Sequence, residues 1–294
     1  MLLLLAAGSG RSQAAKPSAE VPFEFEHNQI IVEVKIAGKG PFNMLFDTDT
    51  DPSAIDAATA RELGLAVGTK GSNATGGGTE TNTVYPTRLP SVELGNVTAR
   101  DLLAATIDLT KLGARIGKPL HGVLGYSFLK DRIVQIDYPN QKIRFFTESP
   151  YPRIQQGPNT VNIISFPFRL EDGNVIIEAV FINNEKMRAT LDTGSSGTFA
   201  LTPEAVTTLG LDEQGRDSDD DDGGYNGAYK SKVGTLKSVR MGKLAVESAP
   251  ATFWLPGTGH DKKRFQVNIG NGFFKDYMLT FDFHNKIVVF ERID

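Results

Sequence analysis

There is no cysteine in this chain of 294 residues. That absence excludes disulfides, a thiol nucleophile, thiolate metal centres and a lipid-modified N-terminal cysteine together. Histidine is nearly as scarce: His27, His121, His260 and His284 stand singly, without the spacing of metal ligands, so zinc-assisted hydrolysis has no donor set. Charge of one sign is not in excess either. A net charge of −4, spread through the sequence, supplies neither a basic stripe for nucleic acid nor a polybasic patch for a membrane surface. No apolar run approaches the roughly 20 residues that cross a bilayer. The start, Met1-Leu2-Leu3-Leu4-Leu5-Ala6-Ala7-Gly8 with Ser12-Gln13-Ala14-Ala15 behind it, has the form of a secretory signal ending in small residues. Residues 1–20 are therefore read as signal-like or disordered, and the protein is expected to be periplasmic or secreted.

What the chain does contain is a repeat. In Ala189-Thr190-Leu191-Asp192-Thr193-Gly194-Ser195-Ser196 an apolar strand delivers a carboxylate, a hydroxyl residue and a turn glycine, so the charge sits at the end of a rigid element. By itself this reads as a strand entering an ordinary turn. Its twin lies 145 residues upstream, in Phe42-Asn43-Met44-Leu45-Phe46-Asp47-Thr48-Asp49-Thr50. The same offset carries Glu33 onto Glu178, Gly125 onto Gly270, Phe128 onto Phe273, Asp137 onto Asp282 and Phe145 onto Phe290. Between motif and tail it slips by only one, with Leu63-Gly64-Leu65 matching Leu209-Gly210-Leu211. Two copies of one folding unit follow, an N-terminal lobe over 21–150 and a C-terminal lobe over 161–294. The proline-rich stretch 151–160 is the linker, and a hydrophobic content of 40% is enough for a buried core in each lobe.

Each copy also carries an apolar pair before a glycine, Val123-Leu124-Gly125 and Ile269-Gly270, the latter preceded by Asn268. The duplicated Asp-Thr-(Gly)-Ser/Thr motif together with this second element resembles the aspartic peptidases of the single-chain, retropepsin-like bacterial kind, over about residues 25 to 292. The resemblance implies an all-β, bilobal acid-protease fold: two similar barrel-like lobes with short helices, and a substrate cleft between them. It implies Asp47 and Asp192 at the cleft floor as a catalytic pair, with Thr48 and Thr193 bonding across to the opposite loop. Thr50, Gly194 and Ser195 complete the motif. A peptide or protein substrate and a monomer are expected, with no cofactor, metal or nucleic acid. One departure stands out: Asp49 occupies a position where the family has glycine.

Along the chain, β-branched density predicts a strand over Gln29 to Ile36, turned by Ala37-Gly38-Lys39-Gly40 into Phe42 to Phe46. The counterpart is Val175 to Ile182, turned by Asn183-Asn184 into Met187 to Leu191. A short helix is predicted after each motif, with Asp56 and Thr202 as N-caps, Pro203 at the first helical position and Gly64 and Gly210 at the ends. Residues 68–83 are rich in Gly and Thr but lack the Lys-Ser/Thr ending of a phosphate loop. They read as a plain flexible loop or as a flap over the cleft, with Gly76, Gly77, Gly78 and Tyr85 as its candidate residues; Tyr229 sits at the matching distance in the other half. Each lobe should close on two strands, Arg132 to Asp137 with Lys142 to Phe146, and Tyr277 to Asp282 with Ile287 to Phe290.

Two carboxylates sharing one proton can take a proton from water and give one to a carbonyl oxygen, because like charges about 3 Å apart cannot both ionise. Thr50 and Ser195 could each bond an outer carboxylate oxygen and favour its ionised form. A serine nucleophile is poorly supplied, since Gly194-Ser195-Ser196-Gly197 lacks the G-x-S-x-G elbow. Asp49 allows two expectations. It either sits near the pair, at a turn wanting positive φ, and raises the pair's pKa values, or it faces solvent and changes little. A catalytically silent protein binding peptide or glycan in the same cleft is the alternative function. A third is an acidic, calcium-dependent surface protein built on Asp217 to Asp222, although a like-charged run is ordinarily a solvated loop.

Overall fold

The computed structural model describes residues 15–74, 76–151, 162–219, 222–261 and 263–293. Both repeats open with the predicted hairpin. Gln29–Ile36 turns through Ala37 and Gly38 into Lys39–Phe46, and Asn174–Ile182 turns through Asn183 and Asn184 into Glu185–Leu191. All four turn residues have positive φ, the two-residue geometry whose twist matches that of paired strands. The first turn is two residues shorter than its glycines suggested, because Lys39 already pairs with Ile36.

The two lobes repeat one sheet strand for strand. In the first, the spatial order is Glu24–Glu26, Gln29–Ile36, Lys39–Phe46, Gly122–Leu124, Ser53–Asp56, Val97–Ile107, Thr83–Leu94 and Ser72–Asn73. In the second it is Arg169–Glu171, Asn174–Ile182, Glu185–Leu191, Val267–Ile269, Phe199–Leu201, Leu244–Trp254, Ser231–Met241 and Arg216–Asp217. The second strand of each also pairs with the seventh, Lys35 with Glu93 and Phe181 with Arg240, which curls each sheet back onto itself. The molecule is thus all-β and bilobal. The helix after each motif is short and capped as its sequence specifies: the Asp56 carboxylate accepts the N–H groups of Ala58 and Thr59, Thr202 accepts that of Ala205, and Gly64 and Gly210 end the two helices at positive φ. No helix among the described residues is long and apolar enough to cross a membrane.

The closing strands form, but not within their own lobes. Ile133–Asp137, Lys142–Phe146, Tyr277–Asp282 and Ile287–Arg292 join Ala19–Pro22 and Ile163–Pro167 in one six-stranded antiparallel sheet shared by both halves. Ile133 pairs with Asp282 and Asp137 with Met278, so a shift of 145 converts one pair into the other. This is the exchange expected of a twofold interface, here within one chain. Its centre is Gln135 opposite Thr280, whose side chains bond at 3.1 Å. The apolar core runs continuously through this sheet, with Val134, Ile136, Leu279 and Phe281 all buried. Each such side chain stabilises by roughly 1.5–3 kcal/mol, so separating the lobes here would cost many times a single contact. Ala19–Pro22 begins inside the segment read as signal-like or disordered because Ala19 and Val21 are buried against the shared sheet. The leader 1–14, the linker 152–160 and Asp220 and Asp221 lie outside the described residues.

Candidate active site

Strand Lys39–Phe46 runs parallel to Gly122–Leu124, and Glu185–Leu191 runs parallel to Val267–Ile269. The short strands are the apolar pairs singled out in the sequence, and they anchor the aspartates: Asp47 N–H donates to the Leu124 carbonyl at 3.1 Å and Asp192 N–H to that of Ile269 at 2.9 Å. The loops that follow are locked together. Thr48 N–H donates to Thr193 Oγ1 at 3.0 Å and Thr193 N–H to Thr48 Oγ1 at 3.1 Å. In turn Thr48 Oγ1 donates to the Leu191 carbonyl at 2.7 Å and Thr193 Oγ1 to that of Phe46 at 2.9 Å. Both threonines are buried, so each bond is exchanged for no water partner and its loss leaves an orphaned group.

The two carboxylates are held alike on one oxygen and differently on the other. Asp47 Oδ1 accepts the Asp49 N–H at 2.7 Å, and Asp192 Oδ1 accepts the Gly194 N–H at 2.8 Å. Asp47 Oδ2 accepts the Thr50 hydroxyl at 2.6 Å, as its sequence position suggested. Ser195, at the matching position, makes no such bond among the described residues. Asn268 takes its place, donating Nδ2 to Asp192 Oδ2 at 2.7 Å from the adjacent strand. The signal for Asn268 was present in the sequence, as a polar residue where the other lobe has Val123. Burial raises the Asp47 carboxyl above its ordinary range. Burial, then the charges of Asp47 and Asp49, pushes Asp192 well above its own.

Gly194 and Asp49 correct one expectation. Neither has positive φ among the described residues. Glycine is required at 194 for space, since a Cβ there would overlap the Asp47 carboxylate. On the other side Asp49 turns its carboxylate across the interface to accept the Thr190 hydroxyl at 2.6 Å, and it lines the cleft rather than facing solvent. Burial, with Asp47 adding, raises Asp49 to about 7, against the opposing effects of the Thr190 hydroxyl and Lys263.

The cleft between the lobes encloses about 650 Å³ and is floored by Asp47, Asp49, Asp192 and Asn268. Gly76 and Gly77 line it, while Gly78 donates its N–H to the Thr258 carbonyl at 3.0 Å. Tyr85 does not reach the cleft. Val84 and Pro86 point inward, and strand alternation sends the residue between them to the other side, where it is exposed. The tyrosine over the site is Tyr225, from the matching loop of the C-terminal lobe, with its hydroxyl 2.9 Å from Thr50 Oγ1 and 3.4 Å from Asp47 Oδ2. The two loops are tied to each other: Asn226 N–H donates to the Gly77 carbonyl, Glu80 N–H to that of Asn226, and Asn82 Nδ2 to that of Tyr225. Tyr229 lines the cleft beside His260, which stacks on Trp254 at 3.7 Å. Burial lowers His260 to about 3, so it stays neutral and serves packing. Asp222 belongs to this covering loop, in a two-stranded ribbon with Gly227–Tyr229, and no group of three potential metal ligands occurs among the described residues.

Two aspartates ending equivalent strands, locked by reciprocal threonines at the floor of an interlobe cleft, define the acid-protease arrangement. The sequence matches the aspartyl protease family over residues 32–128 and 179–273, one match in each lobe and together about two thirds of the chain. The protein belongs to that family. Among solved structures, a retropepsin-like aspartic protease from Rickettsia conorii aligns at 23% identity, over 44% of this chain and 90% of its own, with a TM-score of 0.35. No curated protein matches the chain.

Proposed function

We infer that the protein is an aspartic-type endopeptidase that hydrolyses peptide bonds with water activated between Asp47 and Asp192. The observation that carries this reading is the threonine interlock, which presents both carboxylates to one cleft of a size to hold a peptide segment. One carboxylate, ionised, takes a proton from water as its oxygen attacks the scissile carbonyl carbon. The other, protonated, gives its proton to the carbonyl oxygen, and the tetrahedral species then releases the amine with a proton returned from the pair. The two act as one titrating unit, so neither is assigned the proton. Preorganised donors on each, Asp49 N–H and Thr50 on Asp47, Gly194 N–H and Asn268 on Asp192, hold the geometry without reorganisation. Cleavage of an unstructured protein between pH 3 and 7, abolished by an aspartic-protease inhibitor and by Asp192→Asn, is the expected outcome; no cleavage at any pH overturns it. A silent peptide- or glycan-binding protein is the second reading, favoured by Asp49 in place of glycine and by the Tyr225 hydroxyl beside Asp47. Binding without turnover in the same assay would select it.

A further inference from the structure

The lobes repeat one backbone, yet the halves of the cleft they build are chemically unlike. In the N-terminal lobe the neighbouring strands beside Asp47 place Leu45 next to Val123, within an apolar cluster that includes Ile31, Ala54 and Ile107. At the same positions of the C-terminal lobe stand Thr190 and Asn268, again neighbours across parallel strands. Both are turned to polar use: Thr190 donates to Asp49, and Asn268 donates to Asp192. With Nδ2 given to Asp192 Oδ2, the oxygen end of the Asn268 amide is turned the other way. The other end, Oδ1, is buried and has no hydrogen-bond partner among the described residues, although Asn268 is 5% exposed and lines the cleft. A buried acceptor left unpaired costs about 1–3 kcal/mol. Lys263, which lines the cleft, lies over the Phe265 ring at 5.9 Å. Trp254, Phe265 and Tyr229 line this half, the first stacked on His260, and their apolar edges suit the stem of a long side chain.

We propose that the C-terminal half of the cleft receives a substrate side chain ending in N–H donors, an amide or a cation, while the N-terminal half receives an apolar one. Asn268 Oδ1 is the acceptor for that donor, with the Asp49 carboxyl held on the neighbouring Thr190. Asn268 would then set substrate choice as well as hold Asp192. This assignment rests on the peptidase reading for which bond is cut, but not for what is bound.

The test is a peptide series with an apolar residue on one side of the scissile bond and Leu, Met, Gln or Lys on the other, followed by quenched fluorescence. In parallel, reduced-amide versions, which cannot be cut, are titrated for Kd. Wild type should prefer Gln or Lys to Leu by about tenfold or more in kcat/KM and in Kd, the size of one satisfied buried acceptor. Gln ahead of Lys identifies a neutral amide; Lys ahead of Gln, with the lead lost in Asp49→Asn, identifies a cation. In Asn268→Val, which copies Val123, the order should level or reverse toward Leu whatever the overall rate. Equal handling of Leu, Gln and Lys by wild type overturns the proposal and assigns Oδ1 to the substrate backbone. Ordered binding without cleavage leaves the proposal standing and removes the peptidase reading. Cleavage without order does the reverse.

Discussion

Asp49→Asn changes one oxygen to nitrogen at a carboxyl that sits in the cleft, bonded to Thr190 and raised by burial to about 7. In the unfolded chain the same group ionises near its ordinary value of about 3.9. Between those two pH values the folded protein therefore holds a proton that the unfolded chain has lost, and stability falls as pH rises through the interval. The full difference is about 4 kcal/mol, reached above pH 7, and partial solvent access reduces it toward about 2 kcal/mol. The asparagine variant has no such loss. It should match wild type near pH 4 and exceed it by roughly 2–4 kcal/mol at pH 8, or about 4–8 °C in Tm for a chain of this size. The same charge bears on the reaction. Once Asp49 ionises, its field keeps a proton on the Asp47–Asp192 pair to higher pH, so wild type should retain activity further toward neutrality. Asp49→Asn and Asp49→Gly should draw the basic limb of the pH–rate profile down by about one unit. Denaturant titrations and kcat/KM profiles at matched pH values measure both effects. Superimposable stability curves and rate profiles would show that Asp49 does not titrate in the cleft, and the reasoning would fail.

Asp47→Asn and Asp192→Asn should each leave less than about a tenth of the hydrolytic activity, at least 1.4 kcal/mol of barrier, with Tm unchanged or higher because a buried charge is removed; a clearly active single variant would end the dyad assignment. Thr48→Ala and Thr193→Ala should each lower stability by about 1–3 kcal/mol, and the double variant should lose less than their sum, because each removes bonds the other shares; additive losses in a double-mutant cycle would argue against the interlock. Gly194→Ala should reduce activity far more than Ser195→Ala, since a Cβ at 194 overlaps the Asp47 carboxylate while Ser195 bonds Asp192 only through its backbone N–H, which the substitution keeps; steady-state kinetics with equal losses would contradict that geometry.

How far the sequence reaches is clearest at the two hairpins and their turns. Strand density, positive-φ turn residues, helix caps and the 145-residue repeat are all properties of near neighbours along the chain, and local sterics and hydrogen bonding decide them before any lobe is packed. The threonine interlock is expected only from the family resemblance, and the structure supplies its reason: two copies of one loop facing each other satisfy each other's donors. Other features needed the assembled chain. Closing strands predicted for separate lobes merge into one shared sheet, since an edge strand pairs with whatever edge the other lobe presents. Ser195 and Asn268 compete for the same carboxylate oxygen, and the contest is settled by which side chain the neighbouring strand aims inward. Tyr85 lies on a strand and Tyr225 in a turn of the covering loop, so strand alternation turns the first away while the crossing of the loops lays the second over Asp47. At Asp49 the sequence marked an anomaly, and the packing of the opposite lobe supplied what it meant by placing Thr190, rather than a second leucine, within reach of its carboxylate.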